Sequence, residues 1–311
     1  MKRRVAAQLP PAAAGKTLLE YLSSRFAYHS SEEWQNKIRS GEIALNGTIE
    51  HDPQSVLQAN MLLEYFPENL IEPAVNSNYR IIFEDEYLLV IDKPGNLPVH
   101  PAGPYFSNTL WAMLADSGYG KVHLVNRLDR ETSGLLIAAK QGNIAGEISK
   151  SFAEMEKCYY VLVHGTFAQE CNAKGFLQND TASPIRKKQK FFRQQSDTIE
   201  KSQSAETLFT PLQSNDKYTL LQARLKTGRM HQIRATLNSL KYPVVGDKLY
   251  GLDEQFYRRF ALDTLSESDR QMLVLDRQAL HCCKLSFVHP ISGQTLSFDS
   301  GLPSEIAALL Q

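Results

Sequence analysis

The chain contains no apolar run near the ~18 residues a membrane-spanning helix needs, which argues against a transmembrane protein. Cysteine is scarce. Cys158, Cys171, Cys282 and Cys283 show neither paired metal-ligand spacing nor a disulfide framework, so no metal is expected and a reducing cytoplasm is. Neither sign of charge is in excess: 34 Lys and Arg stand against 34 Asp and Glu, and any nucleic-acid binding must come from segregated charge. A glycine-rich phosphate loop and a regular strand–helix–strand alternation are both missing, which disfavours a P-loop nucleotidase or a dinucleotide enzyme. The opening "MKRRVAAQLPPAAAGK" lacks the apolar core of a secretory signal, and its two prolines disfavour an amphipathic targeting helix. Residues 1–14 are therefore expected to form a disordered tail. What remains is an ordinary soluble composition over 311 residues, enough for one large or two modest domains.

The charges are segregated. "PIRKKQKFFR", residues 184–193, carries Arg186, Lys187, Lys188, Lys190 and Arg193, no acid, and two phenylalanines. Residues 226–248 carry Lys226, Arg229, Arg234, Lys241 and Lys248 against Asp247 alone. Such stretches can track phosphates, with aromatic rings available for stacking on bases. Each run by itself also fits a solvated basic loop.

Residues 15–66 form a small unit. Leu18, Leu22 and Phe26 recur at helical spacing, and Trp34 with Ile38 starts a second helix. "GEIALNGTIE" reads as a hairpin turning at Asn46–Gly47, and "MLLEYF" as a closing strand. The segments "TLLEYLSSRF", "IRSGEIALNGTI" and "LLEYF" resemble the alpha-L RNA-binding module known from a ribosomal small-subunit protein. Four basic residues against seven acidic ones in 15–66 work against an RNA-binding face, and packing or protein binding fits as well. Residues 67–79, rich in Pro and Asn, read as a linker. From residue 80 to 311, β-rich runs such as "RIIFEDEYLLVIDKP", "YYVLVHG" and "YTLLQARL" are joined by few helices, which indicates an α+β domain. "SNTLWAMLADSG" reads as a helix capped by Ser107 or Asn108.

In "HLVNRLDRETSGLLIAAK", residues 123–140, two apolar runs flank a charged turn holding Arg127, Asp129, Arg130 and Glu131. Taken alone, Asp129 is a turn or cap residue. Its surroundings change that. "IIFEDEYLLVIDKPGNLPVHP", "VNRLDRETSGLLIAAK", "EKCYYVLVHG", "LKTGRMHQIRATLNSLKYPVVGDKLYG" and "RQALHCCKLSFVHPISG" follow in order. Together they resemble the RluA-type pseudouridine synthases, from about Ile81 to Pro303. The resemblance implies an α+β fold with a central mixed, mainly antiparallel sheet, preceded by the small α/β module. It also implies isomerisation of uridine to pseudouridine in structured RNA, ribosomal RNA being favoured and transfer RNA open. No metal or organic cofactor is implied, and a cytoplasmic monomer is expected.

Residue by residue, the resemblance makes Asp129 the catalytic carboxylate, acting either by attack on the sugar or by removing a sugar proton. It makes Arg234 the ionic partner of Asp129, for which a guanidinium fork is suited. Tyr159, in "KCYYVLV", corresponds to the active-site tyrosine that holds the detached uracil, and Lys157 goes with it on the RNA side. Arg127 corresponds to the arginine that fills the space left by a flipped nucleotide; a surface phosphate contact fits it equally. Arg186, Lys187, Lys188, Lys190 and Arg229 are the remaining candidates for RNA binding. His123, His231 and His281 are read as structural. One position departs: the family usually places His before Arg-Leu-Asp, where this chain has Asn126. Asn cannot become cationic. The rival readings are an RNA or nucleoside N-glycosidase and an inactive RNA-binding protein.

Overall fold

The computed structural model describes residues 4–26, 29–67, 72–152, 154–194 and 202–311, and the chain divides into two units, Met1–Glu72 and Pro73–Gln311. Among the described residues no helix is long and apolar enough to cross a membrane.

The first unit comprises β1 (Val5–Gln8), α1 (Leu18–Arg25), α2 (Ser31–Arg39), β2 (Ile43–Leu45), β3 (Thr48–Ile49) and β4 (Leu62–Tyr65). Both helices begin with a capping box, Thr17 with Glu20 and Ser30 with Glu33, so two otherwise orphaned N–H groups are satisfied at each start. Their apolar faces bury Leu18, Leu22, Trp34 and Ile38 against Ile43, Leu57 and Leu63. Asn46 and Gly47 take φ values of 52° and 82°, the left-handed pair that a two-residue hairpin requires. Asn46 also ties the hairpin to β4, its Oδ1 accepting from the Leu62 N–H at 2.8 Å.

The expected disordered tail needs correction over its described part. Val5–Gln8 pairs antiparallel with β4 at the edge of the sheet, in the order β1-β4-β2-β3, and Leu9 and Ala13 are buried. All four side chains of β1 are exposed, so backbone hydrogen bonding makes this strand and no apolar alternation marked it. Residues 1–3 lie outside the described residues.

The second unit runs through β5 (Arg80–Glu84), β6 (Leu88–Lys93), α3 (Leu110–Leu114), β7 (His123–Leu124), β8 (Ser133–Ala139), α4 (Gly142–Lys150), β9 (Glu156–His164) and β10 (Cys171–Asn179). It continues through β11 (Gln189–Phe192), β12 (Gln203–Ser214), β13 (Tyr218–Leu225), α5 (Gln232–Ser239), α6 (Gln255–Ala261), α7 (Glu267–Leu273), β14 (Leu280–Val288), β15 (Thr295–Asp299) and α8 (Ser304–Ala307). Its strands form one sheet in the order β11-β10-β12-β13-β9-β14-β8-β6-β5, with β15 beside β14 and β7 beside β8. The β14–β8 pair is parallel and the sheet's other neighbouring strands pair antiparallel, so it is mixed and mainly antiparallel. Residues 73–79 form no helix or strand, yet Asn76 N–H donates to Asn96 O and the Asn108 amide donates to Pro73 O, fastening them to this unit. Helix α3 is capped by Thr109, whose Oγ1 accepts from the Ala112 N–H, in place of the expected Ser107 or Asn108. The helix starts one residue later than its polar lead suggested.

At the centre of the sheet a row of residues runs Ala223, Tyr159, Cys282, Gly134 across β13, β9, β14 and β8. Gly134 takes φ +107°, and a Cβ there would fall on the Cys282 backbone. Only glycine fits both conditions. The close approach brings the start of β14 against the loop that precedes β8.

Candidate active site

Asp129 lies in the loop between β7 and β8, near the end of that row. The loop is pinned by its backbone. Leu97 N–H donates to Arg130 O at 3.0 Å, and Thr132 N–H donates to Asp129 O at 3.1 Å. Lys93, fully buried, directs its Nζ to the carbonyls of Pro94, Leu97 and Arg130 at 2.7–3.2 Å. Burial lowers the Lys93 pKa to about 7, while three carbonyl acceptors match the three donors of the ammonium. Asn126 is buried, with its side-chain oxygen accepting from the Ile137 N–H at 2.8 Å. The position that departs from the family pattern therefore holds the loop against β8 through its amide.

The Asp129 carboxylate is divided in its contacts. Oδ2 accepts from Arg234 at 2.7 Å and from Gln278 Nε2 at 3.4 Å. Oδ1 accepts no hydrogen bond from the described residues; His231 Nε2 stands 3.8 Å from it. The Asp129 side chain is 35 % exposed, so a carboxylate anchored through Oδ2 still meets solvent. Burial pushes this carboxyl up, but Arg234 and His231, with the hydrogen bonds from Arg234 and Gln278, more than offset it and leave the pKa lowered to about 2. Asp129 is thus ionised throughout the neutral range.

Arg234 is itself held. It projects from α5, buried, and its Nε and second amino group donate to Asp247 at 2.6 and 2.8 Å, a bidentate fork that leaves one amino group for Asp129. Asp247 is wholly buried and accepts also from the N–H groups of Leu249 and Tyr250, both at 2.9 Å. Burial raises the Asp247 pKa and Arg234 outweighs this, so it too is held low; Arg234 is raised by its two carboxylates against the cost of burial. The Tyr250 ring lies 4.9 Å from the guanidinium carbon. Gln232 locks the start of α5, accepting from Thr227 Oγ1 and Arg229 N–H and donating to Glu206 O and Thr207 Oγ1. In "HQIR", then, the glutamine anchors and the arginine acts.

Tyr159 reaches this centre from β9 and is 8 % exposed. Burial raises its pKa well above the ordinary value, with Cys282 beside its hydroxyl and the Asp129 charge adding to the effect. It is a neutral phenol, suited to stacking and hydrogen bonding more than to proton removal as a phenolate. Tyr160 faces the other side of the sheet with His281, its cross-strand partner.

Arg127 is exposed on the same loop, and its charge joins burial in lowering the His100 pKa. Arg186, Lys187, Lys190 and Arg229 are also exposed. Gln189 N–H donates to the Tyr250 hydroxyl, which lies 2.9 Å from His231 Nδ1, so the 184–193 segment reaches the neighbourhood of Asp129. Three expectations of surface chemistry are corrected. Lys157 is buried, with Nζ donating to Phe152 O and Met155 O at 2.6 and 2.8 Å, so it braces the chain before β9 and does not stand at the surface. Lys188 is neutralised by Glu254 at 2.6 Å. Lys248 is buried against Glu131 at 3.0 Å and, with Arg234, leaves the phosphate-tracking set proposed for residues 226–248. Phe191 is buried as well and offers no face for stacking.

Asp247, Gln278, Tyr250 and His231 belong to the site although sequence reasoning passed over the first three and assigned His231 a structural part. Asp247 and Tyr250 meet Arg234, whereas Gln278 and His231 reach Asp129 across more than a hundred positions. "GDKLYG" was quoted for its family likeness, and its aspartate and tyrosine were a usable signal.

The sequence profile of RNA pseudouridylate synthase matches residues 87–239. Ribosomal large subunit pseudouridine synthase D of Zymomonas mobilis is 29% identical over 308 residues, covering 93% of this chain and 91% of that protein. tRNA pseudouridine synthase C of Vibrio cholerae is 32% identical over 245 residues, covering 74% of this chain and 93% of that protein. The solved structure of human RNA pseudouridylate synthase domain containing 1 shares the fold, with a TM-score of 0.56 at 21% identity over 74% of this chain and 86% of that one. The chain belongs to the RNA pseudouridine synthase family, in its RluA-type branch.

Proposed function

We propose that Asp129 is the carboxylate through which this chain isomerises uridine to pseudouridine, and that ribosomal RNA is its substrate. The observation that carries the first part is the divided carboxylate. Arg234 and Gln278 fix Oδ2, while Oδ1 stays ionised and open to a sugar. The reaction breaks the N1–C1′ bond, turns the uracil and forms a C5–C1′ bond; the C5 proton departs and N1 regains one, so no atom is gained or lost. Oδ1 can attack C1′ or remove the C2′ proton. Tyr159 would hold the detached ring, and Arg127 would occupy the space it left in the RNA stack, offsetting an unstacking cost of a few kcal/mol.

The choice of RNA rests on length of match. The relative named for the ribosomal large subunit covers too much of this chain to leave out the Met1–Glu72 unit, whereas the one named for tRNA covers 74% of it. That unit would serve as the alpha-L RNA-binding module. A cytoplasmic monomer needing no metal or organic cofactor completes the reading. The test is Asp129→Asn, with pseudouridine mapped in ribosomal and transfer RNA. Conversion should fall to background while the fold is kept; a variant that still converts uridine overturns the role of Asp129. Released uracil would identify an N-glycosidase, and an unmodified RNA bound by the wild type would identify an inactive binder.

A further inference from the structure

The histidine beside Asp129 is oriented by a chain of hydrogen bonds that the isomerisation just described does not use. His231 precedes α5 in a left-handed conformation, φ 56°, which turns its ring toward the loop holding Asp129. Its Nδ1 lies 2.9 Å from the Tyr250 hydroxyl, and that hydroxyl accepts from the Gln189 N–H at 2.8 Å. Burial raises the Tyr250 pKa, so the phenol keeps its single proton, and His231 Nδ1 is its acceptor among the described residues. The remaining nitrogen, Nε2, then carries the hydrogen and presents it to Asp129 Oδ1. The opposite tautomer would face a lone pair toward the carboxylate and leave the phenolic proton without an acceptor. The ring is neutral, since burial lowers its pKa to about 4.

At 3.8 Å, Nε2 and Oδ1 are too far apart for a direct hydrogen bond, and a hydroxyl oxygen placed to one side of the line joining them lies within hydrogen-bond distance of both. Such a hydroxyl would accept from Nε2–H and donate to Oδ1. Both roles open to Asp129 bring Oδ1 to C1′ or C2′ of the target ribose, and the hydroxyl attached there is the 2′-OH. We infer that His231 is a substrate-contacting residue that reads the ribose 2′-hydroxyl at the target uridine, with Tyr250 setting its tautomer. The 2′-OH is the group by which a protein tells RNA from DNA. His231 thus makes the site selective for a ribonucleotide.

This inference rests on Asp129 being the catalytic carboxylate, and its test is a cycle between protein and substrate. The full chain, as wild type and as His231→Asn, is given one RNA bearing either uridine or 2′-deoxyuridine at the modified position. Asn tolerates the left-handed backbone but is too short to reach Oδ1. Kinetics under kcat/KM conditions should show roughly a tenfold loss from either change alone, the scale of one hydrogen bond, and no further loss from both together. His231→Gln, which places an amide N–H near the Nε2 position, should restore part of the discrimination. Multiplying losses, or equal discrimination in all three proteins, overturns the inference. If Asp129→Asn is inactive while the cycle shows multiplying losses, the His231 role fails and the Asp129 role stands; an active Asp129→Asn fails the latter separately.

Discussion

Charged side chains in the Met1–Glu72 unit mostly meet partners close by in the chain, whereas those around Asp129 meet partners far along it. Glu20 and Glu33 each close a capping box over three residues, Glu50 binds the N–H groups of His51 and Asp52, and Lys37 meets Glu42. Arg4 with Glu64, and Lys37 over the Tyr65 ring, are longer-range contacts. In the second unit Asp129 meets Arg234 across 105 positions and Glu131 meets Lys248 across 117. The first kind of contact stabilises the start or turn of the element it belongs to and stays in contact with water. The second is buried, shares partners, and has no meaning until the whole sheet is assembled. The comparison also recasts the acidity of the first unit. Six of the seven acids counted there have structural partners, so its negative charge reflects capping and turn-making.

The contrast can be broken most directly at Asp247. Asp247→Asn removes a charge that is wholly buried and leaves Arg234 with Asp129 alone, so unfolding in urea should show a loss of about 3–5 kcal/mol in the second unit. Pseudouridine formation should fall with it, because Arg234 loses the fork that aims it.

Acid should separate the two regions next. Burial lowers both His231 and His281 to about 4, below the 6.5 of an exposed histidine. Their contribution is present above pH 6.5 and is lost as pH falls toward 4, because the unfolded chain takes up the protons first. The capping glutamates Glu20 and Glu33 are lowered by their backbone hydrogen bonds to Thr17 and Ser30, and what they contribute is lost only below about 4.5. Thermal unfolding followed from pH 7 to 4 should therefore show the second unit weakening earlier, and His281→Gln should flatten its curve. A curve unchanged by that substitution would count against the burial of His281.

Asn126→Ala should cost about 1–3 kcal/mol by leaving the Ile137 N–H unpaired inside the sheet. Asn126→His, by contrast, would test whether an imidazole can accept from the same N–H, with activity as the readout. Smallest are Thr17→Ala and Ser30→Ala, each about 1 kcal/mol and confined to the first unit. Circular dichroism of the full chain during urea unfolding should register them in the less cooperative part of the transition. Equal effects from Thr17→Ala and Asp247→Asn would erase the distinction drawn between local and distant pairing.

Much of the architecture was legible because its signals are local. Capping residues, the Asn46–Gly47 turn and the apolar runs of β6, β9 and β13 act within a few residues, and the chain bears them on its face. Asp129, Tyr159 and Arg234 were found through the order of whole segments, since nothing in a lone Arg-Leu-Asp separates a catalytic carboxylate from a turn. Strand β1 escaped notice because exposed side chains carry no periodic mark of a backbone-paired edge.

By itself, then, the sequence determined the family and most of the elements, and it supplied the residues on which the proposed chemistry rests. Tertiary structure alone decided which charges are chemistry and which are bracing. Lys157, Lys188 and Lys248 read as surface cations, and folding sets them against carbonyls or carboxylates. Asp247 and His231 read as incidental, and folding sets them against Arg234 and Asp129. The reason is physical: burial and the partner met on folding fix what an ionisable group does, and for His231 and Lys248 that partner stands more than a hundred positions away.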